Sequence, residues 1–140
     1  MHILFIYPEF SWFPRWKGSF HFGIGWLSAV LKQAGHTTSL LHLTKRENEK
    51  VFLRLLKQQL PVDLLAFSTT SNDFSYVRQL AGWAKEMVDV PVICGGVHAT
   101  VAPEEVIADE NMDMICVGEG EDALVELCDA LARGRDYSSI

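Results

Sequence analysis

The stretch Val90-Pro91-Val92-Ile93-Cys94-Gly95-Gly96 is a short apolar run that ends in paired glycines, and it decides the fold class. A run that is apolar at nearly every position, rather than at every second one, is typical of a parallel strand covered on both faces. Five apolar runs are predicted as strands, and four of them are nearly continuous in this way: Ile3–Tyr7, Ser39–Leu43, Leu64–Phe67, Val90–Cys94 and Met114–Val117.

Segments with helical spacing of apolar residues separate these runs. Their apolar faces start at Ile24, Val51, Tyr76 and Ala123, and a shorter helix is predicted over Pro103–Ala108. Gly35 and Gly134 are placed to end the first and last helices. The alternation predicts an α/β fold, a doubly wound, Rossmann-like sheet of five parallel strands with helices on both faces.

The composition limits the classes of protein to which the chain can belong. It has 140 residues, of which 49% are hydrophobic and 21% charged, as expected of one globular domain. A net charge of -6 argues against nucleic acid as a partner, and no apolar run is long enough to span a membrane. The acidic chain opens directly on a strand-like run, so we expect a cytoplasmic location. We expect one domain over residues 1–135 and the start of a linker over 136–140.

The three cysteines are too widely spaced for a self-contained zinc or iron–sulfur site. Cys94 and Cys116 lie in apolar runs and are predicted to be buried thiols, while Cys128 falls in the last helix.

Ligands of doubly wound sheets bind outside the carboxyl ends of the strands, so the loops that follow the strands are the candidate site. The first of these loops, Pro8–Ser19, carries Phe10, Trp12, Phe13 and Trp16. Such an aromatic loop either covers a flat apolar ligand or another domain, or it folds back on the sheet edge as a satellite core.

The loops after the third, fourth and fifth strands are rich in hydroxyls, glycines and acids. Ser68–Asp73 offers four consecutive hydroxyl side chains, although Asn72 and Asp73 are better explained as caps of the next helix. Gly95–Ala102 begins with paired glycines, which let a ligand approach the backbone, and Gly118–Asp122 is acidic. Neither a phosphate-binding loop nor a G-x-G-x-x-G turn follows the first strand, and no catalytic constellation stands out.

Two short motifs follow successive predicted strands and lie about 20 residues apart. They are Gly95-Gly96-Val97-His98-Ala99-Thr100 and Gly118-Glu119-Gly120-Glu121. With Ile3–Pro8, Gly23–Leu31 and Asp63–Thr70, they resemble the N-terminal cobalamin-binding domain of B12-dependent radical S-adenosylmethionine enzymes. The resemblance implies the strand order 2-1-3-4-5, with the corrin over the carboxyl ends of the strands and the nucleotide tail among the loops.

The resemblance also implies which residues contact the cofactor. Those expected to meet the tail are Ser68, Thr69, Thr70, Gly95, Gly96, His98, Ala99, Thr100, Gly118, Glu119, Gly120 and Glu121; those expected to approach the cobalt face are Tyr7, Pro8, Glu9 and Phe10. The Asp-x-His-x-x-Gly motif of other cobalamin modules is absent, so no side chain is expected to replace the lower cobalt ligand. No catalytic and no metal-ligating residue is predicted in this domain.

Two functions remain open from the sequence. In the first, the chain carries cobalamin for methyl transfer or related radical chemistry in a C-terminal radical S-adenosylmethionine domain in cis. That domain would hold the [4Fe–4S] cluster and S-adenosylmethionine. Trp12, Phe13 and Trp16 would either cover the corrin or face the barrel of that domain. In the second, the chain is a vestigial interaction domain without cobalamin. A bulky residue at Gly96 is predicted to abolish cofactor retention only in the first case.

Overall fold

The protein forms one five-stranded parallel sheet in the strand order β2-β1-β3-β4-β5. This is a computed structural model, and it describes residues 1–10 and 21–140. The strands are β1 His2–Pro8, β2 Thr37–Leu43, β3 Leu64–Ser68, β4 Val92–Gly95 and β5 Met114–Ile115. The predicted fold class and strand order are confirmed, whereas the fifth strand ends two residues earlier than predicted.

Six helices are seen within the described residues: α1 Phe22–Gln33, α2 Glu49–Lys57, α3 Phe74–Met87, α4 Val97–Val101, α5 Pro103–Ile107 and α6 Glu121–Ala132. Helix α4 was not predicted, because the segment after β4 was interpreted as a loop. Gly96, with φ +92°, turns the chain sharply after β4, and the residues that follow close a short helix.

The sheet is covered on both faces, as the continuous apolar strands require. Alternate residues of β1 point to opposite sides, so Leu4 and Ile6 pack toward α2 and α3 while Ile3 and Phe5 pack toward α1 and α6. Two apolar layers result, one on each side of β1, β3 and β4. The second layer, between the sheet and helices α1 and α6, also holds the cleft described below.

The ends of the helices test the predicted caps. Gly35 and Gly134 follow α1 and α6 with φ of 90° and 61°, which confirms both as C-terminal stops. Asp73 does occupy the position before α3, but its side chain makes no capping hydrogen bond. Its carboxylate instead accepts from the Thr70 hydroxyl at 3.1 Å, so the predicted capping by its side chain is wrong.

Residues 136–140, predicted to begin a linker, turn back toward the sheet. The Asp136 carboxylate accepts from the backbone N–H and the hydroxyl of Ser138, both at 3.0 Å, and Tyr137 and Ile140 line a groove beside β5 and α6. Trp12, Phe13 and Trp16 lie outside the described residues. No helix among the described residues is long and apolar enough to cross a membrane.

Burial of the central strand predicts a large stability difference between two leucines. Leu65 in β3 is fully buried, whereas Leu40 in β2 is 48% exposed. Leu65→Ala is expected to lower the free energy of unfolding by about 2–5 kcal/mol because it leaves a cavity in the core. Leu40→Ala is expected to change it by less than about 0.5 kcal/mol. Urea denaturation of both variants measures the contrast, and equal losses would contradict the two-layer core.

Candidate functional site

A cleft of about 140 Å³ opens at the carboxyl ends of β3 and β4, between the sheet and helices α1 and α6. Its walls include Ile24 and Leu27 of α1, Leu124 of α6, and Phe5 and Ile93 of the sheet. Its outer rim is the loop after β5, from Gly118 to Glu121. The cleft is therefore apolar inside and polar at its mouth, which suits a flat ligand with a polar end.

The floor of the cleft is formed where the residues of β3 and β4 that face it become smaller toward the carboxyl ends of these strands. Ala66 and Ser68 in β3, and Gly95 in β4, all line the cleft, and Ser68 is paired with Gly95 in the register of the sheet. The preceding residues on the same face, Leu64 and Ile93, are large and buried. The apolar layer thus fills completely at the amino ends of the strands and opens toward their carboxyl ends.

The two glycines that end β4 have different reasons for being glycine. Gly96 has φ +92°, and a Cβ there would lie 2.9 Å from the backbone N and O of Thr69. At Gly95, a Cβ would meet the Cβ of Cys116 at 3.5 Å and its carbonyl oxygen at 3.8 Å, both ordinary contacts. The chain itself thus requires glycine at Gly96 but not at Gly95. A bulky residue at Gly96 would disturb the fold in either case, so the predicted test at that position does not discriminate between the two functions.

The rim is shaped by the loop after β5. Gly118 has φ +78°, and a Cβ at Gly120 would lie 3.0 Å from the Cys116 sulfur and 3.3 Å from Leu27. Glycine at these positions lets the rim close against the wall of the cleft. Glu119 is exposed and Glu121 half-buried, so the mouth of the cleft carries carboxylates.

The cysteines are thiols under ordinary conditions. Cys94 and Cys128 are buried, and burial raises the pKa of their thiols to about 12 and about 11. Cys116 lines the cleft and is only partly buried, which differs from the predicted full burial. Burial, followed by the carboxylates of Glu121 and Glu119, raises the pKa of the Cys116 thiol. A thiolate nucleophile or ligand is disfavoured at all three positions.

Three predicted site residues are buried beside the cleft without lining it. Thr69 and Ala99 are almost fully buried, and the N–H of Thr69 donates to the carbonyl of Gly95 at 3.1 Å. His98 packs against the Phe74 ring at 4.2 Å, and its Nδ1 lies 3.1 Å from the Ser71 hydroxyl. The backbone of Thr69 and the side chain of His98 thus join the loops after β3 and β4 from behind the cleft.

The four residues from Tyr7 to Phe10 separate at the end of β1. Tyr7 faces α1, stacked on His42 at 5.4 Å, and Glu9 is 2.8 Å from His42 Nε2. Phe10 turns to the opposite face, where the Arg46 guanidinium lies 5.4 Å from its ring and 5.3 Å from that of Tyr76. Pro8 ends the strand itself. They do not form one continuous surface, because the strand alternates its side chains between the two faces.

His21, which is not among the predicted site residues, lines the cleft and caps the start of helix α1. Its Nδ1 accepts a hydrogen bond from the Ile24 N–H at 3.1 Å, and the Tyr7 ring packs edge-on against its ring. Burial lowers the pKa of His21 and so favours its neutral form. Among residues 1–10 and 21–140, no three His, Cys, Asp or Glu side chains converge as a metal site.

Seven predicted residues line the cleft: Ser68, Gly95, Gly96, Gly118, Glu119, Gly120 and Glu121. Thr70 and Thr100 are exposed outside it. The apolar walls of the cleft were not predicted, because their residues have the sequence pattern of ordinary core. These residues are Phe5, Ile24, Leu27, Ala66, Ile93 and Leu124. The loss of side-chain size from Ala66 to Ser68 and at Gly95 was the available signal.

The sheet order and the cleft beside its glycine loops define a doubly wound module that binds a ligand at its carboxyl edge. A family model described as a B12 binding domain matches residues 19–128. The chain therefore belongs to the B12-binding domain family.

Two solved structures share this fold along nearly the whole chain. Both are of TsrM, a radical S-adenosylmethionine methyltransferase from Kitasatospora setae, one with tryptophan and a S-adenosylmethionine analogue, the other with cobalamin and a [4Fe-4S] cluster. Their TM-scores are 0.84 and 0.83, at 20% sequence identity, over 96% of this chain. The chain spans only 26% and 25% of theirs. No curated protein matches the sequence.

The residues of the cleft fit the nucleotide tail of cobalamin. The tail ends in a flat, mainly apolar base, and the cleft offers apolar walls with a floor of Ala66, Ser68 and Gly95. A side chain at Gly95 would point into this space, and nothing else in the chain requires glycine there. The floor is thus open where a ligand needs clearance.

The cap formed by His21 predicts a pH effect on stability. Nδ1 of His21 accepts from the Ile24 N–H only when it carries no proton, and the pKa of His21 is lower in the folded protein than in the unfolded chain. The cap therefore stabilises the fold at pH values above the unfolded pKa of about 6.5. This stabilisation, at most about 1 kcal/mol, is lost as the pH falls. His21→Asn keeps a cap that does not titrate. Its loss of stability from about pH 7.5 to 5.5 should be smaller than that of the wild type, and identical pH profiles would argue against the cap.

Proposed function

We propose that the chain is a cobalamin-binding module that holds the nucleotide tail of B12 in the cleft between α1, α6 and the carboxyl ends of β3 and β4. The open floor at Gly95 is the observation that carries the proposal. A positive φ explains Gly96 and Gly118, and crowding explains Gly120. Neither reason applies to Gly95, which lines the cleft.

Different residues of the cleft would contact different parts of the tail. Ile24, Leu27 and Leu124 would pack against the base and exclude water, while the Ser68 hydroxyl and the backbone of the Gly118–Glu121 rim would meet its polar end. Thr69 and His98 would support the floor from behind, since they join the loops after β3 and β4, and Ala99 is buried next to His98 in the sequence. When bound, cobalamin supplies cobalt-centred chemistry such as methyl transfer.

The residues of β1 would face the corrin rather than the tail. Tyr7 is held between His42 and His21 at the carboxyl end of the strand, and Glu9 is tied to His42. Burial, then the charges of Glu9 and Asp73, raises the pKa of Tyr7, so its phenol stays protonated as a hydrogen-bond donor. Because His21 Nδ1 accepts from the Ile24 N–H, the neutral ring carries its proton on Nε2 and offers no free nitrogen lone pair to a metal. We therefore keep the prediction that no side chain replaces the lower cobalt ligand.

We further infer that the module works in cis with a radical S-adenosylmethionine domain that follows it in the chain. The support is that this chain aligns with only about a quarter of each TsrM chain. One of those two structures holds cobalamin and a [4Fe-4S] cluster. Anaerobic isolation of the protein from its native source, with its mass and iron content, tests this. A much longer chain with about four irons supports it, and a 140-residue chain without iron overturns it. A cytoplasmic location and independence of nucleic acid remain part of the proposal.

The first experiment is an absorbance titration of the protein with hydroxocobalamin, followed by desalting. Retention of about one corrin per chain supports the proposal, and a dissociation constant can be read from the titration. If neither this chain nor the native protein that contains it retains the corrin, the vestigial interaction domain is the better explanation.

Adding one methyl group at Gly95 provides the sharpest variant. Gly95→Ala is expected to fold with a stability within about 1 kcal/mol of the wild type, because its Cβ makes only an ordinary contact. Its affinity for cobalamin should fall about tenfold or more, because the methyl occupies the floor of the cleft. Gly82→Ala in α3 is the control, with its Cβ 3.6 Å from Asn111 and away from the cleft. Equal affinities of the two variants would place the tail elsewhere.

A further inference from the structure

The side chain of Thr100 joins two loops that no strand pairing connects. Its hydroxyl donates to the carbonyl of Gly96 at 3.1 Å and accepts from the backbone N–H of Gly118 at 3.0 Å. Gly96 follows β4 and Gly118 follows β5, so the bond crosses from one strand end to the next. The pairing of β4 with β5 ends before it, with the N–H of Cys116 donating to the carbonyl of Cys94.

Both partners of Thr100 belong to the mouth of the cleft and have unusual backbone conformations. Gly96 and Gly118 line the cleft and have φ of +92° and +78°, where the backbone is least restrained by a side chain. Gly118 also starts the rim that continues through Gly120, packed against Cys116 and Leu27. A fixed hydrogen bond to the Gly118 N–H therefore sets where the rim begins.

On this basis, and resting on the proposed function, we propose that Thr100 is a positioning residue for the nucleotide tail. Its hydroxyl proton is already donated to Gly96, and its side chain is outside the cleft, so it acts through Gly118 rather than on the ligand. By linking the loops after β4 and β5, it keeps the cleft open to the tail before the ligand arrives. Binding then requires less ordering of the rim.

The hydroxyl is tested by Thr100→Val, which keeps the shape of the side chain, and by Thr100→Ser, which keeps the hydroxyl. Thr37→Val is the matched control, because Thr37 is also exposed and its hydroxyl donates to a backbone carbonyl, that of Met1, at the other end of the sheet. Two readouts are measured for each variant. The first is the hydrogen-exchange rate of the Gly118 backbone amide, measured by NMR without ligand. The second is the affinity of the protein for cobalamin and for cobinamide, which lacks the nucleotide tail.

Thr100→Val is expected to speed Gly118 exchange and to weaken cobalamin binding about three- to tenfold, the range of one hydrogen bond. Cobinamide binding should stay within about twofold of the wild type, because it does not use the cleft. Thr100→Ser and Thr37→Val should resemble the wild type in both readouts.

Unchanged Gly118 exchange in Thr100→Val, or equal weakening of cobalamin and cobinamide binding, would overturn the positioning role. A merely structural effect of the substitution would weaken both ligands together. If neither the wild-type chain nor the native protein that contains it retains cobalamin, the proposed function fails instead. The Gly118 exchange rate alone then decides whether the bridge holds the rim.

Discussion

Burial of the central strands on both faces is the constraint on which the rest of this structure depends. Each residue of β1, β3 and β4 must fill one of two apolar layers, so the size of a side chain at one position determines the space on that side. Where β3 carries Ala66 and Ser68 and β4 carries Gly95, the layer toward α1 and α6 is left partly unfilled. The cleft is a direct result of small residues on a sheet that is otherwise closely packed.

The glycines around this cleft are not equivalent, although they look alike in the sequence. Gly96 and Gly118 have positive φ, and Gly96 also lacks room for a Cβ beside Thr69. Gly120 has little room for a side chain beside Cys116 and Leu27. At Gly95, neither a positive φ nor crowding requires glycine. The glycine pattern therefore combines residues that the loops themselves require with one, Gly95, that the chain does not require.

The loops after the strands are held together by contacts between residues that are close in space but belong to different elements. Thr69 pairs with Gly95, His98 with Ser71, and Thr100 with Gly118. Several residues that the family resemblance assigns to the cofactor are thus engaged with other loops. At the end of β1, Tyr7 and Phe10 face opposite layers, so a single loop serves both sides of the sheet.

The sequence by itself determined the fold class, the order of the elements and the strand ends beside which the cleft opens. Continuous apolar runs, helical spacing and glycine stops are local properties, and each is readable within a few residues. The cleft required the tertiary structure, because its walls come from α1, α6 and three strands and have the composition of ordinary core. The short helix α4, the interior position of His98 and the different roles of Gly95 and Gly96 were decided there too. They depend on which backbone passes within about 3–4 Å, a distance that adjacent positions in the sequence do not encode.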